Sequence, residues 1–528
     1  MKYDFSFIAL GGVGEIGSNC YLMDFGDECF LIDLGLSFCE NLYPGVFASV
    51  PDIRGLKEIK NKLKGIIITH GHDDHIGGLP YFIQQLNVPI YASSFASELI
   101  KSKVFEVTGK SIENIILIKG RKAEVQIGNK KFTFFKTYHS IPESYGFYTK
   151  ITGGDIVFTS DFKQFNFEVL PKNPLLLFVD ATNAGITEDI TEGEVRRTID
   201  KIIKNTRGVF VSATFSTNLY RMKSLINLIK KNGRKLFVTG KSVSTSLEIA
   251  KKLGLITDLD ITNWEKINKY PRNEVAVLTA GTQGEKFSSL KLMSQGKFKG
   301  FCLEEGDSVV ISSRMIPGNE KNIYNMINQF LSRDIDVYYI DIAKTHSSGH
   351  GTQKELKKLL DVIKAKYLVP IHGEARHLKK LKELAIRLGY DKENVLIIDR
   401  SAKILLKDKE ISVVKQESIK KLFIDFHDNS IITEEMARQR RKIGEEGFCY
   451  VVVTHKPYLN LKFDCYGFIM SNEVEEIITK EIRNYVSNLD DVMTEKDKEN
   501  MKQIVKGLIK KYYKRKPVVI LTEEVKNG

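Results

Sequence analysis

The sequence predicts a mixed α/β chain with several layers, and three observations carry that reading. Through the first 185 residues, short apolar runs end abruptly in Asp, His or Thr. From about 205 to 345, comparable runs alternate regularly with helical stretches. From about 430 onward the order changes to two neighbouring strands, two amphipathic helices and a last strand. At 528 residues the chain is too long for one ordinary core, and 42% hydrophobic with 27% charged residues is a globular composition.

In the first region, Phe30-Leu31-Ile32 ends at Asp33, and Ile66-Ile67-Ile68-Thr69 ends at His70. Phe132 to Phe135 runs toward His139, Ile156-Val157-Phe158 toward Asp161, and Leu175 to Val179 into Asp180. Continuous apolar runs suit strands covered on both faces. Polar residues just past strand ends are where layered α/β folds build sites.

In the second region, Val209-Phe210-Val211, Leu236-Phe237-Val238, Val275 to Leu278, Val309-Val310-Ile311 and Val337 to Ile340 predict a parallel sheet. Several of these strands end in small polar residues, including Ser212-Ala213-Thr214 and Thr239-Gly240-Lys241-Ser242. Such ends can meet a phosphate, and ordinary turns use the same residues.

Tyr367 to Ile371 then resumes the first style and leads into His372. In the last region, Phe448 to His455 and Leu461 to Met470 read as strands, and Pro517 to Leu521 as the final one. Ile478, Ile482, Tyr485 and Leu489 mark one amphipathic helix; Met501, Ile504, Val505, Leu508 and Tyr512 mark another.

Net charge is +13. That suits a polyanionic partner such as nucleic acid, and it also suits a lysine-rich proteome with no electrostatic purpose. The six cysteines are scattered with no CxxC pair, which gives neither a zinc ribbon nor a disulfide framework and fits thiols in a reducing cytoplasm. No apolar run reaches the roughly 20 residues of a membrane helix, and the N-terminus lacks a signal-peptide core. A cytoplasmic protein with no membrane partner is expected.

Two motifs mislead. Gly12 to Gly17 matches GxGxxG, yet Asn19-Cys20-Tyr21-Leu22-Met23 is poor helix sequence, so a hairpin is expected in place of a dinucleotide site. Gly240-Lys241-Ser242 lacks the glycine a P-loop needs at 235, where Lys235 stands.

The densest chemistry is His70-Gly71-His72-Asp73-Asp74-His75. Imidazole and carboxylate suit zinc or manganese. His70 and His72 can converge on one ion if the backbone is extended, and Asp74 and His75 can face a second as the chain turns. Asp73 is left over as a solvent-facing or supporting acid. His139, Asp161 and His372, each at a strand end, are the further candidate ligands of a dinuclear site, and a carboxylate such as Asp161 is suited to bridging.

This order of HxHxDH, His, Asp and a late His resembles the metallo-β-lactamase superfamily. Asp180-Ala181-Thr182, His346-Ser347-Ser348-Gly349-His350 and His372 resemble motifs A, B and C of its β-CASP branch. Within that branch the chain is similar almost end to end to the bacterial ribonuclease J family, through GGVGEIG (11–17), HGHDDHIGG (70–78), HSIPES (139–144), DATNAG (180–185), ATFSTN (213–218), TQGE (282–285), IPGNE (316–320), HSSGH (346–350) and PIHGE (370–374). Ser18 to Tyr21 and Ser160 depart from that family's commonest wording.

The resemblance implies an αββα metallo-β-lactamase sandwich at 1–204 and 346–415, with an inserted β-CASP parallel α/β domain at 205–345. A linker at 416–430 and a small C-terminal α+β domain at 431–528 follow. It implies two Zn²⁺ per subunit, with Mn²⁺ or Mg²⁺ as alternatives. His70, His72 and His139 would hold one ion, Asp74, His75 and His372 the other, with Asp161 shared. Asp74 and His350 would act in catalysis. His346, Ser347, Ser348, Gly349, His350, Asp180 and Ser242 would meet substrate, with the 212–216 segment as a further candidate for the phosphate pocket. The expected activity is 5′→3′ exonuclease and endonuclease cleavage of single-stranded RNA, with preference for a 5′ monophosphate, in a homodimer or homotetramer that can include a paralogous subunit. The competing readings are a hydrolase of small esters or lactams, a non-catalytic partner subunit, and a DNA-processing enzyme.

Overall fold

The computed structural model describes residues 3–39, 42–55, 59–454, 460–487 and 494–523. It divides into two compact units, residues 1–38 with 49–421, and residues 39–48 with 422–528.

The first unit holds two facing sheets. One has eight strands, in the order Glu410–Lys415, Ala402–Lys407, Phe5–Gly11, Cys20–Asp24, Cys29–Ile32, Leu63–Ile67, Ile90–Ala92, Ile115–Leu117. The other has six, in the order Tyr367–Ile371, Leu176–Asp180, Gly154–Phe158, Ser144–Ile151, Lys130–Thr137, Lys122–Ile127. Aromatic side chains close the space between them: Phe7 lies 4.2 Å from Phe178, Phe30 4.9 Å from Phe132, and Tyr21 5.5 Å from Phe158, centroid to centroid. Removing these rings from water, together with the aliphatic side chains around them, stabilises the sandwich. The Gln353–Ile363 and Ala375–Arg387 helices bury Leu356, Leu359, Leu360, Leu378 and Leu381 in the same core. Leu79–Leu86 and Ser94–Thr108 bury Leu79, Phe82, Phe95 and Leu99. The expected αββα sandwich is the observed one.

The glycine loop at 12–17 leads into the Cys20–Asp24 strand, which pairs antiparallel with Cys29–Ile32, so the hairpin expectation holds. The loop also anchors a distant segment. The Gly12 carbonyl accepts the backbone N–H of His372 at 2.7 Å, and Val13 and Glu15 bridge to Gly373.

The expected parallel unit is a five-stranded sheet, in the order Lys235–Thr239, Val275–Thr279, Phe210–Thr214, Ser308–Ser312, Asp336–Tyr338. All its pairings are parallel. Its position in the chain decides the site's construction. Leu176–Asp180 and Tyr367–Ile371 are parallel neighbours with Asp180 opposite Ile371. Parallel neighbours need a crossover, and the five-stranded layer is carried within it. The crossover therefore brings His372 back beside Asp180.

The second unit pairs Asn460–Tyr466 antiparallel and Val518–Glu523 parallel to Phe448–Thr454. Val474, Ile478 and Ile482 of the Asn472–Val486 helix and Met501, Val505 and Ile509 of Glu495–Tyr513 cover one face of that sheet. Ile509 takes the seam position assigned to Tyr512, which is exposed. The second strand stops at Tyr466, because Gly467 turns the chain at φ +83°, so Met470 lies beyond it. His455 and Leu489 lie outside the described residues. Lys421–Asp425, within the 416–430 stretch, is a strand that pairs Phe423 with Ile432. No helix among the described residues is long and apolar enough to cross a membrane.

Candidate metal centre and cleavage site

HGHDDH follows the Leu63–Ile67 strand. His72 has extended backbone at φ −72°, ψ 152°, and Asp73–Ile76 turns into a helix directly after it. This is the geometry that separates His70 and His72 from Asp74 and His75. Asp73 pairs with Lys103 at the surface.

Three imidazoles converge first. His72 Nδ1 lies 3.0 Å from His70 Nε2 and 3.1 Å from His139 Nε2. Each ring is oriented through its other nitrogen. Thr69 Oγ1 lies 3.1 Å from His70 Nδ1, Ser140 Oγ lies 3.3 Å from His72 Nε2, and His139 Nδ1 donates to the Gly349 carbonyl at 2.7 Å. Burial and the neighbouring rings hold His70 and His72 well below the usual imidazole pKa, and His139 at about 4. Neutral rings aimed at one point are the donor set a cation requires. Bonds of about 2.1 Å in a tetrahedron would set such nitrogens roughly 3.4 Å apart.

A second group adjoins it: Asp74, His75, Asp161 and His372 have ligand atoms within 4.8 Å of one another. His372 Nε2 is 3.2 Å from Asp74 Oδ2, and His75 Nε2 is 3.4 Å from Asp161 Oδ2. The same Asp161 oxygen lies 3.8 Å from His70 Nε2 and 3.7 Å from His139 Nε2. One carboxylate oxygen thus stands between both groups. Asp161 is 2% exposed, so burial alone would keep it protonated; His372 and His75 more than offset this and hold it well below the usual range. Burial likewise pushes His75 down, and Asp161, Asp74 and Asp33 win, raising it to about 10. Protons on such rings neutralise a buried acidic cluster in the way a divalent cation would.

Asp33 is visible in the sequence as a strand end, but not as a member of the site. It ends the Cys29–Ile32 strand in left-handed backbone at φ +57°. Its carboxylate accepts from the Thr69 N–H and hydroxyl at 2.8 Å each and from His75 Nδ1 at 2.8 Å. It therefore fixes the His75 tautomer with Nε2 facing Asp161. Asn19 Nδ2, 3.3 Å from Asp74 Oδ2, is a second support. Gly35 is a third: a Cβ there would sit 1.7 Å from the Asp74 carbonyl oxygen. Asp33→Asn is expected to weaken divalent-metal affinity about 10–100-fold, measured by competition with a chromogenic chelator.

A third convergence adjoins the second group. His350 Nδ1 is 2.7 Å from Asp180 Oδ2, with Asp161 Oδ2 at 3.9 Å. Burial lowers His350, and Asp180 more than reverses this, so its pKa rises. Asp180, Asp161, His350 and His372 also form a group with ligand reach, sharing two members with the second. Thr182 donates to the His372 carbonyl at 2.9 Å.

The rest of HSSGH shapes this loop. Asn183 donates to Ser348 Oγ at 2.8 Å and to the His350 carbonyl at 3.0 Å. Lys163 donates to Ser347 Oγ and, at 2.9 Å, to the Ser348 carbonyl. A Cβ on Gly349 would lie 2.8 Å from the His139 ring, so glycine is needed for that close approach. His346 is buried against the Ser312 carbonyl at 3.3 Å; burial, Arg221 and Arg314 hold it at about 3. Ser242 is exposed in the first turn of the Lys241–Lys252 helix, and no hydrogen bond among the described residues joins it to the cluster. Ser212 is buried within the Phe210–Thr214 strand.

A divalent cation at 100 times its Kd should add about 2.7 kcal/mol to the first unit's stability. The expected result is a melting midpoint higher by about 3 °C with Zn²⁺ or Mn²⁺, reversed by chelator, in a thermal scan.

Comparison with known proteins agrees with this geometry. Residues 13–197 match the metallo-beta-lactamase superfamily, 207–330 the ribonuclease J beta-CASP domain, and 336–397 the Zn-dependent metallo-hydrolase RNA specificity domain. The chain is 30% identical over 526 residues to Ribonuclease J of Mycoplasma genitalium, covering 95% of this chain and 92% of that one. It is 32% identical to Ribonuclease J2 of Bacillus subtilis, covering 97% of each. A crystal structure of an Enterococcus faecalis protein of unknown function shares the fold at TM-score 0.55 and 14% identity, over 77% of this chain and 100% of that one. On ligand geometry, domain matches and near end-to-end relatives together, the chain belongs to the ribonuclease J family.

Proposed function

We propose that this chain is a metal-dependent ribonuclease that degrades single-stranded RNA 5′→3′ from monophosphorylated ends, also cleaves internally, and acts in RNA decay and maturation in the cytoplasm. The observation that carries the reading is the single Asp161 oxygen lying between two ligand groups, with the Asp180–His350 pair beside it. His70, His72 and His139 would hold one ion, and Asp74, His75 and His372 the other, with Asp161 shared, Zn²⁺ the expected metal and Mn²⁺ or Mg²⁺ the alternatives. Such ions, when bound, supply charge that lowers the pKa of water to near 7 and neutralises phosphate oxygens.

The chain's own residues do the remaining work. Asp161 and Asp74 fix the ligand histidines in register. Asp180 holds His350 by Nδ1, which leaves Nε2 free to orient the scissile phosphate and give a proton to the departing 3′ oxygen. The released fragment then begins with a 5′ phosphate. Ser347, Ser348 and Gly349 position His350 and His139, and the inserted layer, with Ser242 and the 212–216 segment as candidates, would receive the terminal phosphate. A homodimer or homotetramer, with room for a paralogous subunit, is part of the same reading.

The test is 3′-labelled RNA carrying a 5′ monophosphate or triphosphate, supplied with Mn²⁺ or Zn²⁺, beside an Asp74→Ala control. Faster loss of the monophosphate substrate, mononucleotide release and an inert control support the proposal. Intact RNA in every lane overturns it in favour of a partner subunit or another hydrolase, and equal cleavage of matched DNA overturns the RNA assignment.

A further inference from the structure

We propose that Cys449 and Cys465 form a reversible dithiol–disulfide site on the second unit, oxidised by hydrogen peroxide or a small-molecule disulfide. They are 16 residues apart in sequence, and the hairpin register sets them directly opposite each other. Opposed residues on antiparallel strands have Cα atoms about 4.5–5.5 Å apart, inside the roughly 4.4–6.8 Å that a disulfide spans. The two sulfurs are 2.9 Å apart, so closure needs no backbone rearrangement. Both side chains are on the sheet face covered by the two helices, Cys449 buried in the core and Cys465 partly exposed against it. Asn460–Tyr466 is the edge strand, which admits a small oxidant to Cys465 first.

Exposure distinguishes the two thiols. Cys465, partly exposed on the edge strand, is the attacking sulfur, and the buried Cys449 is the resolving one. The Cys465 thiolate attacks one peroxide oxygen, the O–O bond breaks, and a sulfenic acid and hydroxide form; the hydroxide takes up the proton the thiol had released and becomes water. Cys449 sulfur then attacks Cys465 sulfur, the S–O bond breaks, and a second water leaves with the Cys449 proton. One peroxide is reduced by two electrons, and two thiols become one disulfide. A small thiol reverses the reaction by exchange.

The experiment uses the full chain, reduced and then exposed to dilute hydrogen peroxide, alkylated, digested and mapped by mass spectrometry. The expected result is a linked peptide pair containing Cys449 and Cys465, a loss of two of the six free thiols, and recovery of both with dithiothreitol. Amide exchange in 460–466 should slow on oxidation, and Cys465→Ser should show neither effect. Oxidation that falls on Cys302 while Cys449 and Cys465 stay alkylatable would overturn the proposal. Linkage between copies of the chain would overturn it equally, and the parent chain's peptide map decides this even if the variant folds poorly.

Discussion

An Asp161→Ala variant is expected to cleave RNA on the order of 10³-fold more slowly than the parent chain, or not measurably. Its oxygen lies within 3.8 Å of ring nitrogens from His70, His75 and His139, and its other oxygen is 2.9 Å from His372 Nδ1. No other described carboxylate reaches both ligand groups. Removing it should lower metal stoichiometry as well as rate, so elemental analysis of the purified variant accompanies the assay. Unfolding is a separate outcome, and circular dichroism distinguishes it. Full metal content with unchanged turnover would refute the bridging assignment.

The His350→Ala variant should behave differently. Loss of a positioned acid costs about 10²–10⁴-fold in turnover, yet its partner Asp180 and the HxHxDH ligands are untouched. The expected result is a much lower kcat with metal content near that of the parent. Asp180→Asn removes the carboxylate that orients the ring and should lose part of the same factor. The two changes combined should cost no more than His350→Ala alone, because they disable one unit. A double variant whose losses multiply would argue that Asp180 serves the metals and His350 acts separately.

The legible parts of this protein are those in which local sequence carries the physics. HGHDDH stands out because six adjacent residues supply four ligand candidates; the extended backbone at His72 meets the condition its alternation sets, whereas the helical turn at Asp73–Ile76 begins earlier than the glycines at 77 and 78 suggest. The strand-end rule offers His139, Asp161 and His372 as candidates only because HxHxDH precedes them in the chain and calls for further ligands. Asp33 obeys the same rule, yet nothing local marks it. An orienting acid and a solvated turn acid look alike until Thr69 and His75, 36 and 42 residues away, are seen to surround it. The role of Gly349 is hidden for a similar reason, as its partner His139 is 210 residues distant. Cys449 and Cys465 look scattered because only hairpin register makes them neighbours. Ser242, at a strand end in the sequence, stands exposed in the first turn of a helix.

The crossover between Leu176–Asp180 and Tyr367–Ile371 has a consequence for the growing chain. Thr182 and His372, which share a hydrogen bond, are separated by 190 residues. At about 5–20 residues per second, synthesis leaves a gap of roughly 10–40 s between the two. Throughout that interval the nascent polypeptide carries HGHDDH, His139 and Asp161 but lacks His372, and for most of it His350 as well. The cluster around Asp180 is thus completed only when the late strand pairs beside it, long after HGHDDH has been made.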